Sequence, residues 1–406
     1  MYSAPILIAL LVVAMGCVTS SEAPEPKGPG NKKAKTAQNH TVILISIDGL
    51  RWDYLDHHKP KTLNRWYYQG ASVHNLTPIF PTETIPNQYA MVSGLNAEQS
   101  GLISDEFYDP VHNITYKLRE KNHNPKKQWY AGEPVWNVAA EHQLRVKNLS
   151  WTEGAPFTEP LSNDHERFRH ISSLIALPQG QRPHLVTVFL NSVYEAGYKH
   201  GPESPEVTQA LGQIDRMLHQ LERQLLDLRL MDKVTLIVAS SHGMTATKPH
   251  QVIQLTSLLE EPFQQRVVNR GSMAMVWPKK GSQTRVWNKV RHTTGHYKAY
   301  RRKDIPRYFH FKRNRRVPPI LLLAKPGWTF VDKSKNSPPK GAHGYSNRHP
   351  DMQGLMIVMG RGIKPGYKID TLSNLEVSAL VRSLLGLPTS PVNLSQYGHK
   401  RLLLHR

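Results

Sequence analysis

The chain has 406 residues, 39% hydrophobic and 20% charged, a composition that excludes wholesale disorder. Lys and Arg number 52 against 31 Asp and Glu, and the formal charge of +21 attracts polyanions without informing on fold. The one cysteine, Cys17, excludes an internal disulfide framework.

In chain order, residues 1–20 read as a secretory signal peptide, with an apolar run over 6–18 too short to span a bilayer and small residues after it. Residues 21–39 are rich in Pro, Gly and Lys and read as a flexible basic arm. One domain is expected over 40–395. Its first strand is the apolar run at 42–47, and runs at 185–189, 234–239 and 355–358 have the same character of strands buried on both faces of a parallel sheet. Between the second and third lies a helix over 207–230, with Val207, Leu211, Ile214, Leu218, Leu221 and Leu225 on one stripe. A further helix is expected over 374–385. Strands alternating with helices predict an α/β fold, a doubly wound, mostly parallel sheet with helices on both faces. Residues 255–319 read as a basic insertion over one end of that sheet, and 396–406 as a basic C-terminal tail.

Five N-x-S/T sequons, at Asn39, Asn75, Asn113, Asn148 and Asn393, accompany the leader and point to a secreted, extracellular glycoprotein. The chain closes on RLLLHR, without an apolar tail, so no membrane anchor or span is expected.

Four positions stand where chemistry is done. Asp48 directly follows the first strand, where open α/β sheets bind ligands, although an Asp before Gly also suits a plain turn. Thr84, in FPTETIPNQY, precedes a helix expected from about Pro86, whose free N–H groups favour an anion; alone it reads equally as a cap. His242 in SSHGM follows the third strand and His343 in GAHGYSN precedes the fourth. Histidines at strand ends suit metals, though each alone also fits a structural role.

Together with DGLRWDYL (48–55), GEPVW (132–136), GPESPEV (201–207), IPRYFHFKRNRRVPP (305–319), PGW (326–328) and LLGLP (384–388), these pieces resemble the ectonucleotide pyrophosphatase/phosphodiesterase family of the alkaline phosphatase superfamily. The resemblance runs from about Thr41 to Leu394. It implies chemistry with two zinc ions and a threonine nucleophile, which matches Thr84. By the same match one zinc would be held by Asp48, Thr84, position 241 and His242, and the other by positions 194, 198 and His343.

The pattern is broken at the metals. Ser241 stands where the family has an aspartate, Tyr194 where it has an aspartate, and Tyr198 where it has a histidine. The family asparagine that helps hold a phosphoryl oxygen falls at Asp105, whose carboxylate would repel phosphate. Glu195 and His200 are the available substitutes for the lost ligands. The resulting expectation is a secreted, catalytically degenerate phosphodiesterase-like glycoprotein that holds one weakly bound divalent cation or none. It would bind a polyanion, such as a sulfated glycan, mineral or acidic surface. The alternative is an active metal-dependent enzyme that attacks nucleotide or lipid phosphodiesters with Thr84.

Overall fold

The computed structural model describes residues 39–117, 129–151, 158–159, 163–259, 264–292, 295–332, 337–389 and 398–404. The expected signal peptide, nearly all of the basic arm and Asn393 lie outside the described residues.

The apolar runs become strands Thr41–Ile47, Leu185–Leu190, Val234–Ala239 and Gly354–Gly360. They join a sheet of eight strands in the order Lys368–Ser373, Ala71–Thr77, Gly354–Gly360, Val234–Ala239, Thr41–Ile47, Leu185–Leu190, Val146–Leu149, Thr158–Glu159. Five of its seven pairings are parallel. Gly354–Gly360 runs against both neighbours, so the sheet is mixed. Its apolar run reports burial on two faces, which is the same for either direction.

Alternation along the first strand divides the core. Ile43, Ile45 and Ile47 face Trp66, Ile171, Leu211 and Leu218, from helices Lys61–Gln69, Asp164–Ala176 and Pro205–Asp227. Val42 and Leu44 face Trp136, Leu380 and Leu384, from helices Val135–Glu141 and Glu376–Leu385. Helices therefore cover both faces, as expected. The long helix starts where Ser204 accepts from the Val207 N–H, with Pro205 pre-set for the first turn. Glu376–Leu385 ends at Gly386, whose φ of 67° suits a residue without a Cβ.

The expected insertion forms a second, antiparallel sheet in the order Gln264–Asn269, Met273–Pro278, Ile320–Ala324, Tyr297–Arg301. Its strand Ile320–Ala324 lies beyond the expected boundary at 319. Met273, Met275, Leu321 and Leu323 pack with Phe80, Ile85 and Tyr89, which seats this sheet against the segment that carries Thr84.

Two expectations are corrected. Gly398–Leu402 is a docked 3₁₀ turn with His399 and Leu402 buried, and the His399 ring bonds the Glu376 carboxylate, so this part of the C-terminal segment is no free tail. Asn148 is fully buried and accepts from the Thr187 hydroxyl, which leaves no room for a glycan on the folded protein. By contrast Asn39 and Asn113 are exposed and Asn75 is half-buried. Arg316, within the basic insertion, is buried and donates to Asp109 at 2.9 Å, Gly101 O at 2.8 Å and Trp129 O at 2.6 Å.

Burial pushes the Asp109 carboxyl up, but hydrogen bonds from Arg316, the Val111 N–H and His112 outweigh it and hold it down to about 2. A depressed carboxyl adds stability that is present above its unfolded value near 3.9 and is lost as pH falls towards 2. Arg316→Gln strands Asp109 and the carbonyls of Gly101 and Trp129. The expected loss is about 3 kcal/mol in urea unfolding at pH 7, shrinking below pH 4; an unchanged midpoint would contradict this role.

Candidate functional site

The topology brings the candidate residues together. Asp48 and Ser241–His242 follow parallel neighbours, so they emerge at one end of the sheet. His343 precedes the reversed strand and reaches the same end, fastened there by the short pairing of Gly341–Ala342 with Thr245–Ala246. Thr84 is the first residue of helix Thr84–Ser93, two residues earlier than expected, and Pro86 lies in the first turn, where no N–H is needed. Thr82 ties the loops to each other: its carbonyl accepts from Gly344 N and lies 2.9 Å from His343 Nδ1.

Asp48 is the centre of the arrangement. Thr84 Oγ1 donates to its Oδ2 at 3.0 Å, Ser241 Oγ donates to Oδ1 at 2.5 Å, and His242 Nε2 lies 3.3 Å from Oδ1. Thr84 Oγ1 is also 3.1 Å from His242 Nε2. All four side chains are buried. The His343 ring stacks on the His242 ring, 4.2 Å between centroids and 5° from parallel.

Tyr194 and Tyr198 lie on helix Ser192–His200 with their rings stacked at 5.7 Å. The Tyr194 hydroxyl is 3.4 Å from His343 Nε2. Gly49, at φ 74°, admits this helix: a Cβ there would come within 3.2 Å of the Tyr194 Cα. Glu195 and His200 do not replace the lost ligands. Glu195 accepts from Asn191 and faces a cleft with Asp164 and Arg216, while His200 pairs with Glu206.

Asp105 belongs to the site, and two residues not singled out from the sequence explain how its charge is held. Its Oδ1 accepts from the Ile85 N–H at 2.8 Å, in the first turn of the Thr84 helix, and its Oδ2 lies 3.6 Å from Arg270 Nη2. Glu83, fully buried beside Thr84, accepts from Asp105 N at 2.6 Å and Ser104 Oγ at 2.8 Å, and Arg270 Nε lies 3.3 Å from it. Burial pushes the Glu83 carboxyl above its ordinary range, with Arg270 pulling the other way. The anion-binding end of the helix thus already holds a carboxylate of the protein's own. Glu83 stood in the quoted FPTETIPNQY; Arg270 carried no signal, being a basic residue in a basic insertion.

A pair of zinc ions does not fit this donor set. Zinc takes about four nitrogen, sulfur or carboxylate ligands, and the half around His343 offers one imidazole beside the Tyr194 hydroxyl. The other half has one carboxylate and one imidazole, completed by hydroxyls. Among the described residues no group of three or more His, Cys, Asp or Glu is placed to hold a metal.

A mixed sheet that delivers an aspartate and a histidine pair to one end, beside a threonine at the first position of a helix, defines an alkaline phosphatase-like α/β protein. The family described as type I phosphodiesterase / nucleotide pyrophosphatase matches residues 42–346, and the chain belongs to it. Human ectonucleotide pyrophosphatase/phosphodiesterase family member 5 is 27% identical over 377 residues, covering 89% of this chain and 78% of that protein. The human bis(5'-adenosyl)-triphosphatase ENPP4 is 29% identical over 380 residues, covering 89% and 82%. The solved structure of murine member 5 superposes with a TM-score of 0.83 at 25% identity, covering 90% of this chain and all of that one. Another structure holds an inactivated form of that murine protein with AMP.

If the Asp105 carboxylate blocks anion binding at the Thr84 helix, Asp105→Asn should raise affinity for inorganic phosphate at least tenfold in calorimetric titration. Equal affinity of the two proteins would show that the carboxylate does not guard the site.

Proposed function

We propose that this chain is an extracellular phosphodiesterase-family protein that has kept the fold and the nucleophile position but given up two-metal hydrolysis, and that it works by binding. The observation that carries this reading is that hydroxyl side chains at two of the three altered ligand positions bond within the site, Ser241 to Asp48 and Tyr194 to His343. Asp105 at the helix N-terminus supports it by opposing a phosphate. The extracellular setting rests on the apolar leader and on the exposed sequons at Asn39 and Asn113. Among the described residues no helix is long and apolar enough to cross a membrane. The excess of 21 positive charges supports a polyanion as partner.

One observation favours the second reading, an active hydrolase: Thr84 Oγ1 keeps bonds to both Asp48 and His242. AMP, bound in the murine relative's structure, marks the ligand class such an enzyme would take.

Hydrolysis of a nitrophenyl nucleotide ester in the presence of zinc separates the two. The protein should match its own Thr84→Ala variant at background rate. Turnover abolished by Thr84→Ala would overturn the binding reading. Ser241→Asp alone should strengthen divalent-cation binding without turnover, because the His343 half keeps a single imidazole. Ser241→Asp with Tyr194→Asp, Tyr198→His and Asp105→Asn should bring back Thr84-dependent hydrolysis.

A further inference from the structure

The positive charge is not spread evenly. Residues 279–316 hold 14 of the 52 Lys and Arg and one acidic residue, Asp304. More than half of the chain's net charge of +21 is therefore carried by 38 residues of the second sheet and its connections. Arg316 is spent internally on Asp109, and Arg315 reaches the same carboxylate at 3.8 Å. Four of the others, Arg301, Arg302, Lys303 and Lys312, line a cleft of about 840 Å³ between helix Gln283–Val290 and the 3₁₀ turn Arg302–Asp304. Gln283, Trp287, Arg301, Arg302, Lys303 and Lys312 line it, and no acidic side chain does.

Two details point to an anionic occupant. Arg302 donates to the Val317 and Arg315 carbonyls, yet its Nε is sealed from solvent and meets no acceptor among the described residues. Burial there disfavours the Arg302 cation, a cost that an anion in the cleft would offset. Arg301 lies over the Trp287 ring, 4.6 Å from its centroid, which holds that guanidinium at the cleft. The same contact occupies one face of Trp287, the one aromatic ring lining the cleft among the described residues. Single-stranded nucleic acid is gripped largely by successive bases stacking on aromatic faces, and a single ring partly taken by Arg301 is a poor platform for that. A chain whose charges lie on sulfate groups needs no stacking platform.

We propose that this cleft is a binding site for a sulfated glycan chain, with Arg301, Lys303 and Lys312 contacting sulfates and Arg302 lying beneath them. The site is remote in sequence from the Thr84 centre. It rests on the binding role proposed above, but hydrolysis and glycan binding are read by separate assays, so either can fail alone.

The test is calorimetric titration of the full secreted chain with a heparin octasaccharide at 0.15 M NaCl. Arg301→Ser, Lys303→Ser and Lys312→Ser combined should raise Kd at least tenfold, whereas the equal charge removal Lys61→Ser, Arg223→Ser and Lys248→Ser should raise it less than threefold. Gln283→Glu, which adds a carboxylate to the exposed lining and leaves every cation in place, should also weaken binding. Raising the salt to 1 M should abolish it, since screening then acts over about 3 Å. Equal effects of the two triple variants, or no effect of Gln283→Glu, would overturn the proposal. So would tighter binding of a single-stranded oligonucleotide of matched charge.

Discussion

A buried carboxylate must be neutralised or hydrogen-bonded, and at the head of this sheet that requirement falls on Asp48. Its two oxygens accept from Thr84 and Ser241, with His242 beside them. An aspartate at position 241 would instead have placed a second negative charge against the first, an arrangement that only bound cations make tolerable. Serine turns the repelling neighbour into a donor. Tyr194 supplies a hydroxyl in the same way opposite His343. The substitutions therefore act as a set that lets the site close on itself, and their shared location at the chemistry follows from that constraint.

The surrounding structure is undisturbed by this change. The strands that deliver Asp48 and His242 are packed on both faces by separate helical layers, and Thr82 pins the His343 loop to the Thr84 segment. These contacts are made by backbone and core, so ligand identity can drift while the frame stays fixed. The charge excess lies elsewhere, on the second sheet, where Arg301 and its neighbours border an open cleft. Catalytic frame and cationic surface can thus change independently.

Much of the architecture was legible because burial on two faces leaves long apolar runs and an amphipathic helix leaves a stripe; Val42, Leu185, Val234 and Leu211 all stand where those patterns put them. The direction of Gly354–Gly360 was not, since burial is blind to polarity. Order along the chain located Asp48, Thr84, His242 and His343, and their convergence then needed only the topology. Local composition misled where a charged or polar residue had a distant partner. Arg316 reads as surface until Asp109 is seen beside it, and His399 reads as tail until Glu376 is. Asn148 satisfies a sequon yet lies inside a strand, bonded to Thr187. Arg270 could not be found at all, because its role depends on Glu83 and Asp105 nearly two hundred residues away.

The account turns on whether the site is complete without a metal. Elemental analysis of the protein, purified without chelator and dialysed, measures this directly, together with its Tm before and after EDTA. A site closed by Ser241 and Tyr194 predicts well under one zinc per chain and a Tm that EDTA leaves unchanged. Two zinc ions per chain that survive dialysis, with a Tm that falls when they are removed, would contradict it.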